Sequence, residues 1–294
     1  RPAETSKGSA GPAMIHRSKV RQDVEVLAPP FWGSRVVTDI PTEALFPYVN
    51  ETVLFRGRWQ FKRGKMTEDE GQRIIKEKVV PAYEALKLQC LKDRIFEPKV
   101  VYGYFPCQSK GNDLIIYMED LKTEWVRFAF PRQAVSPYLY LSDFFASVES
   151  GRMDVAPLHL VTIGRTATAR SRELFAANKY QDYLYLHGLS VVMAEALAEY
   201  FHKRIRQELG VGGEDSPNIR DLFVQKYRGS RFSFGYPACP RLEDHVQLFE
   251  LLGPKRIDVE LTEEYQLDPE QSTDALIVAH PEAKWFSVRP ETET

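Results

Sequence analysis

A stretch of ten residues, RFSFGYPACP at positions 231–240, concentrates side chains that could bind a ligand. Its two prolines exclude a regular helix, because proline lacks the backbone N–H group and its ring clashes with the preceding turn. Gly235 allows a positive φ angle or a close approach of the backbone to a ligand. Arg231 offers a planar guanidinium that suits a carboxylate, and Tyr236 offers an apolar ring with a polar hydroxyl. The stretch therefore combines one cation with a stiff aromatic loop.

Two interpretations of this loop follow from its residue types. A preorganised cradle would suit a small zwitterionic or nucleoside-like ligand, since prolines reduce the entropy that is lost when a loop becomes ordered. A structural loop that closes one end of a sheet would use the same residues. The residue types alone leave both interpretations open.

Acid–base chemistry has one candidate pair, Glu195 and Glu199, which lie one helical turn apart. Lys203 follows Glu199 by four residues, so we predict that Glu199 belongs to a solvated face with an i,i+4 ion pair. The role of Glu195 stays open. The six histidines are scattered, and none has another at i+3 or i+4, which argues against a helical metal site. His187 and His202 are expected to be hydrogen-bonded packing residues of one long helix.

Several common catalytic and cofactor motifs are absent from the sequence. It has no G-x-x-x-x-G-K-[ST] phosphate loop, no G-x-G-x-x-G after a strand and no G-x-S-x-G nucleophile elbow. The glycines of GVGG at 210–213 follow a helix and are expected to end it. Cys90, Cys107 and Cys239 are too few and too far apart for a disulfide framework or a cysteine zinc site, and they fit a reducing cytoplasm.

The elements that must position these residues are both helical and extended. Thr67 and Glu70 have capping-box spacing and open a helix that Pro81 is expected to end or kink. The longest helix is predicted from about Tyr180 to Leu209. Extended segments are predicted in a hairpin, VVYGYF and DLIIYM around CQSKGN, and in WVRFAF, LHLVTI, DALIVA and KWFSV. Because these segments do not form regular βαβ units, we predict an α+β fold with a mostly antiparallel twisted sheet and flanking helices.

Composition and charge limit the number of domains and the classes of partner that the chain can have. The chain of 294 residues is 43% hydrophobic, which suffices for one large domain or two small ones. The 39 basic and 41 acidic residues form no long basic run, which argues against nucleic acid as the main partner. No apolar run approaches the roughly 18 residues of a membrane span, and the N-terminus lacks the apolar core of a signal peptide. We predict a flexible linker from an upstream module over residues 1–27 and one domain over residues 28–294.

Four segments resemble the S-adenosylmethionine-binding reactivation domain of cobalamin-dependent methionine synthase, in the family's order. R-x-x-x-G-Y-P-A-C-P resembles the family's S-adenosylmethionine loop, and VVYGYFPCQSKGNDLIIY resembles its VVGxFPAxxxxDDIxxY segment. YLYLHGLSVVMAEALAEYFHKRIRQELG resembles its long helix with an AEAxAEYxHxRxR core. LTEEYQLDPEQSTDALIVAHPEAKWFSV resembles its C-terminal segment, in which two aromatic residues follow a lysine. The resemblance reaches from about residue 45 to residue 288, and residues 1–40 show little of it.

The resemblance implies a function that composition and spacing do not. The family's enzyme moves a methyl group from methyltetrahydrofolate to homocysteine through cobalamin, in the cytoplasm. When the cobalamin is oxidised, this domain presents the methyl of S-adenosylmethionine to cob(II)alamin, and a flavodoxin or similar reductase supplies an electron. The cobalamin is carried by a neighbouring domain of the same enzyme, and zinc belongs only to an absent homocysteine domain. The isolated domain is therefore not expected to turn over alone.

The resemblance also assigns roles to the loop residues. Arg231 is expected to bind the methionyl carboxylate, so that its removal would change fold stability little. Ser233 and its neighbours, including Gly235, are expected to contact the ligand through backbone groups. Tyr236 is expected near the methyl end, facing the corrin, and is the predicted catalytic residue.

Four further positions complete the predicted binding site. Trp285 and Phe286 take the place of an aromatic pair that often contains tyrosine in the family. Asn50 stands where the family often has an aspartate that contacts the amino group of the ligand, and its amide oxygen accepts a hydrogen bond without a full charge. Glu195 falls on an acidic position of the family near the cleft. No metal-binding residue is predicted.

The rest of such an enzyme has no counterpart in the sequence. There is no D-x-H-x-x-G motif of a cobalamin module, so we expect a piece of the enzyme or a free-standing module, and the N-terminal linker favours a piece. One alternative is a self-contained S-adenosylmethionine-dependent methyltransferase, which would need its own acceptor site. The other is a ligand-free interaction module, which would not need Arg231, Gly235 and Tyr236.

Overall fold

The computed structural model describes residues 18–61, 64 and 67–288. The strands in these residues are β1 (Gly33–Val37), β2 (Lys99–Lys110), β3 (Asp113–Tyr117), β4 (Glu124–Ala129), β5 (Asp154–Thr162), β6 (Ser230–Phe232), β7 (Glu260–Leu261), β8 (Leu267–Asp268) and β9 (Ser272–Val278). The α-helices are α1 (Glu68–Ile74), α2 (Val80–Lys92), α3 (Arg165–Ala176), α4 (Tyr180–Glu208), α5 (Ile219–Leu222) and α6 (His245–Leu252).

Seven strands form one antiparallel sheet in the order β4-β3-β2-β5-β9-β6, with β1 also paired to β2. β2 is the central strand, because β5 pairs along one of its edges while β1 and β3 share the other. Strands β7 and β8 form a separate small ladder. This arrangement confirms the predicted α+β fold with its antiparallel sheet and flanking helices.

Helical and irregular segments cover the two faces of the sheet. On one face, α4 packs over a core that includes Tyr102 and Tyr104 of β2. On the other face, α6 and the aromatic loops pack over a core that includes Val101 and Phe105 of the same strand. Helix α4 ends at Glu208, as predicted, and the following Gly210 has a φ of 79° that favours glycine. The longest helix and the centre of the sheet therefore share one core.

Local sequence signals succeed for one helix and fail for one strand. The capping box of Thr67 and Glu70 is present at the start of α1. Pro81 does not end the helical run, because the π-helical segment Ile75–Val79 leads into α2 and Pro81 lies in the first turn of that helix. The predicted strand KWFSV is wrong: residues 284–288 form no strand, and Lys284 Nζ instead donates hydrogen bonds to two backbone carbonyl groups at 3.1 Å.

The described part of the N-terminal segment lies along the domain. Arg152 donates a hydrogen bond of 2.8 Å to the carbonyl oxygen of Val24, and His280 Nε2 lies 3.0 Å from that of Arg21. Most of the predicted linker, residues 1–17, lies outside the described residues, so the boundary at residue 27 stays a prediction. None of the helices in the described ranges has the length and apolar character that crossing a bilayer requires.

Candidate functional site

The loop after β6 is closed by its own backbone. Gly235 has a φ of 83°, its N–H donates to the carbonyl of Cys239 at 2.9 Å, and the Cys239 N–H donates to the carbonyl of Tyr236 at 2.9 Å. The Tyr236 N–H also donates to the carbonyl of Ser233 at 3.3 Å. A Cβ atom at Gly235 would lie 2.6 Å from Leu242 Cδ2, so both the backbone angle and the space favour glycine.

Two buried side chains tie this loop to the sheet and to α6. Asp274 of β9 accepts the N–H of Phe234 through Oδ1 at 3.0 Å, and its Oδ2 lies 2.8 Å from Nε2 of His245. His245 Nδ1 lies 2.7 Å from the carbonyl oxygen of Tyr265. Asp274 and His245 are each 3% exposed. The backbone of the loop is thus held by a carboxylate that is itself held by an imidazole.

Arg231 of β6 faces a polar stripe on α4. Its guanidinium is in direct contact with the carboxylate of Glu199 and lies 3.6 Å from that of Glu195. The predicted solvated face of Glu199 is wrong, because its side chain is only 7% exposed and it pairs with arginines rather than with Lys203. Burial disfavours a charged arginine, but the two carboxylates outweigh that effect and raise the pKa of Arg231. Arg231 therefore stays a cation at the cleft floor.

A second arginine lies behind the first. The side chain of Arg206 is 1% exposed and makes two hydrogen bonds to Asp215, at 2.7 and 2.9 Å. Arg206 also lies 3.9 Å from Glu199, and its guanidinium stacks 4.0 Å from the ring centroid of Tyr227. Because each buried charge has an opposite neighbour, the cluster keeps Glu199 within the core in spite of its desolvation.

The buried His202 adjoins the same cluster, whereas His187 does not. His202 of α4 packs edge-on against Tyr227, with ring centroids 5.2 Å apart. Burial, together with Arg206 and Arg231, lowers the pKa of His202 well below its usual value. Within the described residues neither of its ring nitrogens has a hydrogen-bond partner, so the predicted hydrogen-bonded packing role is half right: it packs, without the hydrogen bonds. His187 stacks on Tyr183 near the other end of the helix.

The wall that faces Arg231 and α4 across the site is formed by the segment after Asn50, one of the predicted binding residues. The Oδ1 atom of Asn50 accepts the N–H of Val53 at 3.2 Å and starts the π-helical segment Val53–Arg58. The adjacent Trp59 stacks on Tyr185 of α4 at 4.4 Å between ring centroids and donates its indole N–H to the carbonyl of that residue. This contact fixes the wall against α4, so the distance between Asn50 and the glutamates depends on packing rather than on loop position.

Loop, helix and wall enclose a cleft of about 370 Å³, a size typical of small-molecule sites. Six of the predicted residues line it: Asn50, Glu195, Arg231, Ser233, Tyr236 and Trp285. Gly235 instead lines an adjoining open cleft of about 650 Å³, which shares Glu195, Ser233 and Tyr236 with the first cleft. Phe286 is 6% exposed and packs among Phe144 and Phe232, so the structure does not bring it to the cleft.

Several residues of the cleft were missed by sequence reasoning. They include Tyr48, Arg58, Glu199, Gln225 and Tyr227. Glu199 carried a usable signal, because it lies one helical turn after Glu195 on the same face of α4. The others come from irregular or short helical segments, whose positions only the tertiary fold determines.

The side chains of the cleft are suited to binding a ligand rather than to attacking it covalently. Arg231 presents N–H donors, Glu195 a carboxylate that is 48% exposed, and Tyr236 a ring that is 57% exposed. Burial and the charge of Glu195 raise the pKa of the Tyr236 phenol, which therefore stays protonated at neutral pH. The nearby Cys239 is 1% exposed, donates its thiol to the carbonyl of Ser233 and has a raised pKa, so it is a poor nucleophile.

Comparison with known proteins assigns the chain to a family. The family model for the activation domain of vitamin B12-dependent methionine synthase matches residues 41–293. The chain belongs to this family. Methionine synthase of Mycobacterium tuberculosis is 44% identical over 290 residues, and that of Mycobacterium leprae is 41% identical over 298 residues. Each alignment covers 92% of this chain but 24% of the relative, so the chain spans about a quarter of the length of these methionine synthases.

A solved structure of the same family supports the fold. The crystal structure of the MetH reactivation domain bound to AdoHcy superposes with a TM-score of 0.79 at 26% sequence identity. The superposition covers 91% of this chain and 84% of that domain. The chain is therefore an activation domain of the methionine synthase family, as its sequence motifs predicted.

Proposed function

We propose that this activation domain binds S-adenosylmethionine in the cleft and presents the methyl group to cobalamin carried by a neighbouring domain. The observation that carries the proposal is the convergence of Arg231, Glu195 and Tyr236 on one cleft of suitable volume. The related reactivation domain is described as bound to AdoHcy, the demethylated form of the same molecule. Both facts favour a ligand with a carboxylate, an ammonium group and an aromatic base.

The donor set of the cleft fits S-adenosylmethionine group by group. Arg231 would donate N–H groups to the methionyl carboxylate, and its contact with Glu199 would hold the guanidinium in position. The amide oxygen of Asn50 and the carboxylate of Glu195 would accept hydrogen bonds from the ammonium group. Backbone groups at Ser233 would add neutral contacts.

The charged side chains of the cleft are also arranged to suit this ligand. Four of them line it, the cations Arg58 and Arg231 and the carboxylates Glu195 and Glu199, so their charges balance. Arg231 offers a cation for the carboxylate of the ligand, and the half-exposed Glu195 offers a carboxylate for one of its cationic groups.

Methyl transfer would depend on docking. Tyr236 and Trp285 stand exposed at the mouth of the cleft, where they would meet the corrin. One electron from a flavodoxin or similar reductase would reduce the cob(II)alamin, and transfer of the methyl group to it would break the S–CH3 bond and leave S-adenosylhomocysteine in the cleft. The overall conversion of homocysteine to methionine, with its zinc site, would belong to other parts of a full-length enzyme. The three cysteines are free and buried, which fits the reducing cytoplasm predicted from the sequence.

Calorimetric titration of the chain with S-adenosylmethionine tests the proposal first. Saturable binding is expected, and its absence in the folded protein would favour the ligand-free interaction module. Arg231→Ala should weaken binding. Arg204→Ala is the matched control, because Arg204 lies on α4 and pairs with Glu208 outside the cleft.

A second measurement tests the methyl transfer. The chain is mixed with a separate cobalamin module, a reductant and S-adenosylmethionine, and methylcobalamin is followed by its visible absorbance. Product is expected only when the cobalamin module is present. Methylation of another acceptor without any corrinoid would instead support the self-contained methyltransferase.

A further inference from the structure

The loop that presents Arg231 and Tyr236 depends on one buried carboxylate outside the cleft lining. Asp274 lies on β9, next to β6 in the sheet, and accepts the Phe234 N–H in the middle of the loop. Asp274 lines the adjoining cleft of about 650 Å³ and is not among the residues that line the first cleft. A movement of this carboxylate would therefore move the loop backbone without any direct contact with a ligand in the cleft.

The partner of Asp274 must carry two protons to make both of its hydrogen bonds. A backbone carbonyl oxygen only accepts, so Nδ1 of His245 donates to Tyr265. A carboxylate also accepts, so Nε2 donates to Asp274. Either neutral tautomer would place a nitrogen lone pair against an oxygen. The observed geometry thus corresponds to an imidazolium.

The charges around this imidazole come from several elements. Asp274 faces it from β9, and Asp244 precedes it on its own segment, with the guanidinium of Arg241 3.7 Å from Asp244. The Cys239 thiol of the loop lies near Asp274 and Asp244, and burial and these two carboxylates raise its pKa, so it stays protonated. Burial disfavours the imidazolium, but the hydrogen bond and charge of Asp274 outweigh burial and raise the pKa of His245 above its usual value. The balance of neighbouring charges is therefore negative and supports the doubly protonated ring.

We propose that Asp274, held by the His245 imidazolium, is a positioning residue for the ligand loop, so that loss of the His245 proton weakens ligand binding. This proposal rests on the proposed function. A neutral ring donates only one of its two hydrogen bonds, and in either tautomer it lacks the positive charge that balances the buried Asp274 carboxylate. In this proposal the unbalanced carboxylate turns toward water, and the Phe234 N–H loses its fixed acceptor.

Two substitutions of Asp274 separate positioning from bulk stability. Asp274→Ala removes the acceptor and should weaken S-adenosylmethionine binding about ten-fold at pH 6, the effect of one charge-assisted hydrogen bond. Asp274→Asn keeps an oxygen for Phe234 and offers an N–H to a neutral His245, so its affinity should not depend on the His245 proton. Asp154→Ala is the matched control, because Asp154 is also a carboxylate that accepts two backbone N–H groups, those of Ala146 and Val155, in another part of the fold.

The readout is the dissociation constant of S-adenosylmethionine from pH 6 to pH 9, measured by calorimetry on the chain and its variants. The ligand's own amino group titrates in this range, near pH 8, but it contributes equally to every variant. The wild-type protein and Asp154→Ala should lose roughly five-fold more affinity with rising pH than Asp274→Asn does. An identical pH profile for Asp274→Asn and the wild type, or wild-type affinity in Asp274→Ala, would overturn the proposal.

Exchange of the Phe234 amide provides a readout without a ligand. In the wild type its protection, corrected for the intrinsic dependence on pH, should fall as the His245 ring signals titrate in nuclear magnetic resonance spectra. In Asp274→Asn the protection should not follow that titration. If the protein binds no S-adenosylmethionine, the proposed function fails, while this exchange experiment still decides the positioning role. Protection that is independent of His245 in the wild type would overturn it.

Discussion

Arg231 and Glu199 are in direct contact at the floor of the cleft, the arginine on β6 and the carboxylate on α4. The contact joins the edge strand of the sheet to its longest helix. Only 7% of the Glu199 side chain and 21% of the Arg231 side chain are exposed, so the pair is desolvated on one side and open to the cleft on the other. The guanidinium is therefore oriented by the protein before any ligand arrives.

Arg231→Ala is expected to lower both ligand affinity and stability. The loss of a charge-assisted hydrogen bond should weaken S-adenosylmethionine binding by about 1.5–3 kcal/mol. Glu199 would lose its nearest cation but keep Arg206 at 3.9 Å. The free energy of unfolding should therefore fall by about 2–3 kcal/mol, less than the roughly 3–5 kcal/mol for a fully buried pair, because 21% of the Arg231 side chain is exposed. This expected loss of stability replaces the sequence-based expectation that removal of Arg231 would change the stability of the fold little. Calorimetry and urea unfolding measure the two effects.

The double variant Arg231→Met with Glu199→Gln separates these effects. It removes both charges, so most of the stability should return while binding stays weak. Wild-type affinity in a folded Arg231→Ala protein would contradict the assigned role of the arginine.

Asn50→Asp is expected to bind S-adenosylmethionine at least as tightly as the wild type. The aspartate keeps an oxygen for the Val53 N–H and adds a charge that attracts the ammonium group. Because the cleft is open to solvent, the gain should shrink as the salt concentration rises. Calorimetry at low and high salt measures this dependence. A clear loss of affinity would show that Asn50 does not contact the ammonium group.

Tyr236 is expected to matter more for methyl transfer than for ligand affinity. Its ring is 57% exposed at the mouth of the cleft, so Tyr236→Phe keeps the apolar surface that would face the corrin. Tyr236→Ala should slow methylcobalamin formation more than Tyr236→Phe does. The measurement is the absorbance assay with a separate cobalamin module. Equal rates in the two variants would show that the Tyr236 ring is not part of the docking surface.

Acid is expected to destabilise the domain through its buried histidines. Burial, with Arg231 nearby, lowers the pKa of His159 to about 3 from 6.5. The unfolded chain therefore binds a proton that the folded protein does not, and the stabilising contribution, present above pH 6.5, is lost as pH falls toward 3. The slope is about 1.4 kcal/mol per pH unit for each such histidine, and the pKa of His202 is lowered in the same direction.

Urea unfolding between pH 4 and pH 7 measures this slope. His159→Leu should reduce it by one proton, because the replacement does not titrate. Leu160→Val, on the same strand but in the opposite core, should lower stability without changing the slope. An unchanged slope in His159→Leu would mean that the histidine is protonated in the folded protein.

Local periodicity explains what the sequence predicts well. The bounds of α4, the capping box of Thr67 and the hairpin of β2 and β3 depend on residues close together in the chain. Local patterns also describe the turn chemistry of the loop, since Gly235 is required by its own φ angle. The antiparallel sheet follows, because its strand segments lack the regular crossover helices of a parallel sheet.

The errors concern residues whose surroundings come from distant parts of the chain. The spacing of Glu199 to Lys203 predicts a solvent-facing carboxylate, but its main partner, Arg231, lies 32 residues away along the chain. Phe286 shares an aromatic motif with Trp285, yet consecutive side chains point apart, and only Trp285 reaches the cleft. No local pattern distinguishes these cases, since burial is decided by which element packs on top.

The central strand β2 makes the two cores of this domain thermodynamically inseparable. Tyr102 and Tyr104 contribute to the core under α4, while Val101 and Phe105 contribute to the core under α6. Unfolding of either core would expose the side chains on one face of β2, while the side chains on its other face still belong to the intact core. We therefore expect one cooperative heat-absorption peak rather than two, with equal calorimetric and van't Hoff enthalpies. Destabilising substitutions far from the cleft would consequently lower the temperature at which binding is lost, even where they touch no residue of the cleft.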